Sequence, residues 1–529
     1  MRKLLYFVLS IAYLKVFFIN ALTDRKVYRP TLDELNNPNT YPQRSVYGIK
    51  AIQTDGWKIE DITGNGAGGV VVNLPWASYQ PQEKRTPCSG NEVAYDGYCY
   101  IPANGPEIQL YTSKQLMVTG VLIIPPLWAR QSNTDCKQAN QNFCAPDNPT
   151  AFGRFAGFLA WYFNGQNGHG RVTEFVIMNE VNAAEWYNIG CGNGKSCNVD
   201  KWVTSYAQVY NAGYDRIRQE QPQAPVLVSF EHHFDSSLDT YINNASPVIS
   251  ARTFLTKLVP QLGSRQWALA YHSYPPSLLH AEFGRNDWPK ITFGNIHRLV
   301  GWLMQTYPNT PSAHKVYLTE NGINSISPYS DQYKQHDQLC LAFEYILSTP
   351  NVDLFVYHRM KDHPVETKDG LGLGLVDASG QYKRSWSLWA LTNRFDIIPN
   401  KLSCGFQHLP YVLLKRALHS VDGHFTTTRP LPSGYKLERT WKLFREYQAN
   451  TKLIFECVRT HDKRNFPSIH QNCENQEAWG PLGYIYIDQS TNSRAAPIYR
   501  CRSGTDYFIS PDSNCENTTN EGLLGYVLS

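Results

Sequence analysis

The sequence predicts an α/β protein: a (β/α)8 TIM barrel followed by a small all-β repeat domain of trefoil-like character. Three observations carry that expectation. Eight short apolar runs alternate with longer, helix-compatible segments; the alternation stops near residue 400; and the remainder repeats itself three times.

The runs are SVYGIKAIQ (45–53), GVVVNLPW (69–76), MVTGVLIIPP (117–126), EFVIMNE (174–180), APVLVSF (224–230), WALAYHSYP (267–275), KVYLTENG (315–322) and VDLFVYH (352–358). Each is nearly continuous in apolar residues, as expected of strands covered on both faces. Segments such as 149–165 and 203–219 carry apolar residues at three- and four-residue steps, which is helical spacing. Eight strands with interleaved helices suit a barrel with elaborated loops. A doubly wound open sheet is the alternative, and no GxGxxG follows an early strand to support it. GNGAGG at 64–69 is a turn ahead of the second run, and without a following GK[ST] it is not a phosphate loop.

Past the run LWALTNRFDIIPNKLSCGF the long helical spacings disappear. Phe425, Phe466 and Phe508 recur at 41 and 42 residues, and a Gly-Tyr pair recurs at Gly434, Gly483 and Gly525. That period describes a three-unit β module. The expected divisions are residues 1–21 as a signal peptide, 22–400 as the barrel and 405–529 as the module. The module is expected to be separable and dispensable for chemistry, adding contacts to a polymeric ligand through exposed Tyr and Trp; a stabilising cap on the barrel is the alternative.

The chain has 529 residues, 42% of them hydrophobic, with a net charge of only +4. No basic block with interleaved aromatics occurs, so nucleic acid is not an expected partner. Aromatics make up 13%, a share that suits both core packing and stacking on sugar rings. At the N-terminus Arg2 and Lys3 precede an apolar stretch from Leu4 to Leu14, and small Ala21 offers a cleavage site. This reads as a secretory signal. Lys15 interrupts the apolar run, which favours cleavage over a retained anchor. A secreted protein, free of the membrane after cleavage and monomeric, is the expectation.

The twelve cysteines fit that compartment. Ten fall in short local spacings: Cys88 with Cys99, Cys136 with Cys144, Cys191 with Cys197, Cys457 with Cys473, and Cys501 with Cys515. Cys340 and Cys404 are left as a possible sixth pair. With no CxxC and no histidine at zinc-finger spacing, neither a metal nor another cofactor is expected. Asn244 and Asn517 head glycosylation sequons, the first weakened by Pro247.

Barrel proteins place their functional groups at the C-terminal ends of the strands. The fourth run closes on Asn179 and Glu180, and the seventh on Thr319 and Glu320. A carboxylate ending a buried strand costs free energy unless it is paired or used. Two of them facing one mouth suit glycoside cleavage, where one donates a proton and the other attacks the anomeric carbon. A carboxylate bound to a basic side chain is the plain alternative for either residue alone; the joint placement favours catalysis.

FVIMNEV and VYLTENG resemble the acid/base and nucleophile strands of the retaining (β/α)8 glycoside hydrolase superfamily. More closely, residues from about 45 to 390 look like a secreted family of that superfamily catalogued as a domain of unknown function. VVVNLP, RVTEFVIMNEVNAAEWYNIG, WALAYHSYPPSL, ITFGNIHRL, VYLTENGINS, FVYHRMKDHPVE and LGLGLVD carry that resemblance. The C-terminal units resemble, more weakly, a repeated module appended to secreted hydrolases. By resemblance Glu180 is the general acid/base, Glu320 the nucleophile, and Asn179 the partner of the substrate's 2-hydroxyl. His272 and Tyr274 would flank the nucleophile and help keep it ionised. The carboxyl groups are expected ~5–5.5 Å apart. Glu180 should be raised in pKa by the nearby negative charge and Glu320 held low by hydrogen bonds.

Two departures bear on substrate and subsite shape. Val181 stands where many members have proline, and the eighth run ends Tyr357, His358, Arg359 where a tryptophan is common. Tyr357 and His358 are therefore the expected substrate contacts there. In EHHFD (231–235), His232 is expected in a polar wall of the pocket. His232 and His233 are not expected to share a metal, because neighbours in an extended strand point to opposite faces. The loop carrying Asp362, His363 and Glu366 is expected to hold an ion-pair network over the mouth. Carbohydrate is the expected partner. A catalytically idle carbohydrate-binding protein and a transglycosylase are the competing functions.

Overall fold

The computed structural model describes residues 29–54, 57–130, 136, 143–192, 194–238, 246–394, 404, 410–489 and 494–528. The leader, its cleavage at Ala21 and the Asn244 sequon lie outside the described residues; Asn517 is exposed.

All eight predicted runs are strands of one closed parallel barrel. They are β1 (Lys50–Gln53), β2 (Gly69–Pro75), β3 (Met117–Ile123), β4 (Val172–Ile177), β5 (Val226–Phe230), β6 (Trp267–Tyr271), β7 (Val316–Asn321) and β8 (Val352–Tyr357). Closure runs through β1 and β8, with Ile52 opposite Tyr357. The first run becomes a strand only from Lys50, because Val46–Gly48 ahead of it forms a 3-10 turn.

A helix follows each strand: α1 (Ile59–Gly64), α2 (Gly105–Ser113), α3 (Pro149–Tyr162), α4 (Val199–Glu220), α5 (Ala251–Leu262), α6 (Ile296–Thr306), α7 (Gln332–Leu347) and α8 (Arg384–Leu391). Local sequence explains where they start. The Asn148 side chain accepts from Ala151 N ahead of Pro149 in α3, and the Asn198 side chain accepts from Lys201 N at α4. Trp202, Tyr206, Val209, Gly213 and Ile217 form the buried stripe of α4 at the spacing its sequence shows.

Two cores result. Inside the barrel pack Ala51, Val71, Val121, Val176, Leu227, Ala268, Ala270, Tyr317, Leu354 and Val356. Outside it the strand and helix faces share a larger core. At the N-terminal end of the barrel, fully buried Glu174 accepts from Tyr41 Oη at 2.5 Å and from Arg44 Nη2 at 2.7 Å. That plug leaves the C-terminal end as the open mouth.

The C-terminal module is all-β and antiparallel, three strands in each of three units: β9 (Tyr411–His419), β10 (Gly423–Thr427) and β11 (Lys436–Phe444); β12 (Thr451–Val458), β13 (Asn465–Ser468) and β14 (Glu477–Tyr486); β15 (Ala495–Ser503), β16 (Asp506–Ser510) and β17 (Thr519–Leu528). The three short strands meet one another, as do the three closing strands, which is the threefold arrangement expected of the repeats.

The second unit sits on the barrel. Phe455, Cys457, Phe466, Cys473 and Ala478 join the outer barrel core. Gly301 of α6 lies so close to β14 that a Cβ there would meet Ala478 O at 2.5 Å. Fully buried Glu456 pairs with Arg429 at 2.7 Å and with Arg285 of the barrel's β6–α6 loop. Arg445 donates to the carbonyls of Leu347 and Val352 at 3.0 Å, satisfying backbone at the end of α7.

Six disulfides join the cysteine pairs read from the sequence, Cys340 with Cys404 included. No helix among the described residues is long and apolar enough to cross a membrane.

Candidate active site

The barrel mouth holds a cavity of about 490 Å³. Two local distortions turn the expected carboxylates into it. After β4 the chain leaves extended geometry, and Met178 and Glu180 take left-handed φ values of 60° and 37°. Such residues cost on the order of 1–3 kcal/mol each and persist when surrounding bonds over-determine them. Here Met178 N donates to Leu122 O at 3.0 Å, Glu180 N to Ser229 Oγ at 3.1 Å, and Val181 N to Ser229 O at 3.0 Å. In β7 an extra residue enters the pairing with β8: Leu318 faces Phe355, but Asn321 faces Tyr357. Strict alternation would turn Thr319 and Glu320 to opposite faces; across this bulge both line the cavity.

One carboxylate oxygen of Glu180, one of Glu320 and a ring nitrogen of His272 lie within 4.8 Å of one another. Tyr274 Oη donates to Glu320 Oε1 at 2.9 Å. His272 Nδ1 is 2.6 Å from Glu180 Oε1, and its Nε2 is 3.1 Å from Thr319 Oγ1. Tyr274 thus flanks Glu320 as expected, whereas His272 bonds Glu180.

Burial pushes Glu180 well above the usual carboxylate range, and the Glu231 and Glu185 carboxylates push it the same way. Glu320 is also raised by burial; His272, Tyr274 and Arg359 pull it back while Glu180 adds to the rise. The expected low Glu320 therefore becomes a smaller rise, because burial outweighs its bonds, and the charge acting on Glu180 comes first from Glu231 rather than Glu320. Burial lowers His272 as well. A protonated Glu180 donating to a neutral Nδ1, with Nε2–H donating to Thr319 Oγ1, satisfies both shifts and both distances.

Asn179, His232 and His358 line the cavity. His358 Nδ1 sits 2.5 Å from Gln53 Oε1. Tyr357 does not reach the mouth. It is fully buried behind β8, where Gln335 Nε2 donates to its hydroxyl at 3.3 Å and Trp389 packs on its ring. Alternation along the strand sends Tyr357 outward and His358 inward.

His232 and His233 also correct the expectation of opposite faces. β5 has ended at Phe230, so the two rings lie 4.6 Å apart, both with Nδ1 towards Glu231 Oε2. Glu231, directly after the fifth strand, also lines the cavity, and no role for it was read from the sequence. Glu231, His232 and His233 hold three ligand-type atoms within 4.8 Å, as do Glu180, His272 and Glu320. Within them, hydrogen bonds join His233 to Glu231 and His272 to Glu180. Beside the mouth, Arg359 pairs with Glu366 at 2.9 Å and Lys383 with Asp362 at 2.8 Å.

Fold and mouth together define a (β/α)8-barrel protein with paired carboxylates on its fourth and seventh strands. Residues 42–396 match the model of a family described as a family of unknown function (DUF5722), and the chain belongs to that family. No curated protein matches it.

Solved structures similar to it include a family 39 glycoside hydrolase from the gut symbiont Bacteroides cellulosilyticus WH2, at 11% identity and TM-score 0.45, covering 89% of this chain and 81% of that one. A hyperthermophilic β-glucosidase from Pyrococcus furiosus is similar at 14% identity and TM-score 0.43, over 65% of this chain and 84% of that one. The β-glycosidase from Thermosphaera aggregans is similar at 13% and 0.42, over 64% and 84%.

Proposed function

We propose that the protein is a secreted, retaining glycoside hydrolase acting on a poly- or oligosaccharide. The observation that carries this reading is the Glu180–Glu320 pair, on separate strands of one mouth and with oxygens within 4.8 Å. Inverting enzymes need roughly 6.5–9.5 Å between carboxyl groups to admit a water, while retaining ones need about 5–5.5 Å. Secretion rests on the leader sequence and the disulfides.

In the first step Glu320 attacks the anomeric carbon while Glu180 gives its proton to the departing glycosidic oxygen. The C–O bond to the leaving group breaks as the ester to Glu320 forms. In the second step Glu180, now ionised, takes a proton from water; the water oxygen displaces Glu320 and restores both carboxyl groups. Tyr274 aims and stabilises the Glu320 carboxylate, and in this reading Asn179, from the cavity wall, bonds the 2-hydroxyl. The stronger upward push on Glu180 supports the acid role for it, because the group that stays protonated longer is the donor.

A panel of aryl β-glycosides and oligosaccharides, assayed beside Glu320→Gln and Glu180→Ala, tests the assignment. Glu320→Gln loses turnover and keeps binding. Glu180→Ala keeps activity on substrates with activated leaving groups, and azide rescues its deglycosylation. A product of inverted configuration refutes retention.

A further inference from the structure

We infer that Glu231 is a positioning residue for this reaction: from the end of β5 it keeps the proton on Glu180. The inference rests on the acid role proposed for Glu180.

The geometry is that of a carboxylate built to stay charged. Glu231 is 6% exposed, yet its oxygens collect Asn182 Nδ2 at 2.7 Å, His233 N at 3.0 and 3.1 Å, and the His233 ring. Asn182 Oδ1 accepts in turn from Glu231 N at 3.2 Å, tying the β4 and β5 ends together two residues beyond Glu180. Among the described residues no Lys or Arg forms an ion pair with it; the half-buried Lys290 feels its charge without touching it. A carboxylate held by an amide, a backbone N–H and imidazole rings, without a Lys or Arg ion pair, keeps negative charge available to neighbours in a poorly solvated site. Burial raises the Glu231 pKa, and the bonds from His233 and Asn182 together with the charges of the His232 and His233 rings bring it below the usual range.

The other groups around Glu180 do not duplicate this role. His272 is its hydrogen-bond partner and is pushed towards the neutral form. Glu320 changes state during the reaction, since it becomes an ester once it has attacked, and the Tyr274 hydroxyl is committed to it. Glu185 is exposed on the loop after β4, where water screens it. Across the mouth Arg359 is paired with Glu366, and burial keeps His232 and His358 neutral. Glu231 alone combines burial, fixed position and a charge that survives both steps, so it acts equally when Glu180 must recover its proton from water.

The test is the pH profile of kcat/KM in the full chain. Glu231→Gln should lower the alkaline midpoint by about one pH unit, the usual size of a like-charge effect within one site, and leave the acid limb in place. Glu231→Asp, which keeps the charge, should hold the alkaline midpoint. Phenyl glycosides should lose activity above that midpoint about tenfold, and dinitrophenyl glycosides, which need no proton, should not. An unmoved alkaline limb in folded Glu231→Gln overturns the inference. If Glu180→Ala at the same time shows its leaving-group dependence, the acid reading stands; without that dependence both fall. Should Glu231→Gln fail to fold, carboxyl carbon NMR of the wild-type chain decides: Glu231 must be ionised throughout the active pH range, and a titration inside that range overturns the inference.

Discussion

Tyr274→Phe removes a single hydroxyl from the site and should move one limb of the pH profile. Tyr274 is buried, and its hydroxyl donates to Glu320 Oε1 at 2.9 Å. A hydrogen bond to a charged group contributes about 1.5–3 kcal/mol, and 1.36 kcal/mol corresponds to one pKa unit, so its loss raises Glu320 by about one to two units. The sign follows from the role. Glu320 must be ionised to attack, burial already favours its neutral form, and without the tyrosine that form persists to higher pH. The acid limb of kcat/KM should therefore rise by about one to two pH units, while the alkaline limb, set by Glu180, holds. The assay is kcat/KM against pH on an activated aryl glycoside, with thermal unfolding run alongside to show that the fold is intact. A folded variant whose acid limb stays in place, or whose alkaline limb moves instead, refutes the placement of Tyr274 on the nucleophile.

Three further outcomes concern the module and its seat on the barrel. Truncation after Arg394 should give an aggregating chain inactive even on small glycosides, because it bares the α6 face and the outer core that β14 covers; a soluble, active truncation refutes the capping role. Glu456→Ala strands Arg429 and Arg285 in a buried interface and should lower stability by about 3–5 kcal/mol in denaturant titration. Gly301→Val should lower the melting temperature markedly, because its side chain must displace the β14 backbone, while the full chain's substrate preference stays unchanged.

The sequence by itself determined the eight strands, their order and the two carboxylates that close the fourth and seventh. A buried parallel strand must be apolar on both faces, and that leaves a mark needing no partner to be seen. Five disulfide pairs and the threefold repeat were legible for a similar reason, since spacing and periodicity are local; Cys340 with Cys404, 64 residues apart, followed only as the remainder. Tertiary structure alone decided which way the strand-end side chains face. The bulge that turns Glu320 inward exists only in the pairing of β7 with β8, and the left-handed turn at Glu180 is held by bonds from β3 and β5. Tyr357 and His358 are adjacent in sequence, and only closure of the barrel assigns them to the core and to the mouth. Glu231 had no visible role in the sequence, because only the folded barrel brings it and Glu180 to one buried cavity. The module's attachment was equally hidden: Glu456 reads as an ordinary strand residue until Arg285, 171 positions away, meets it across the interface.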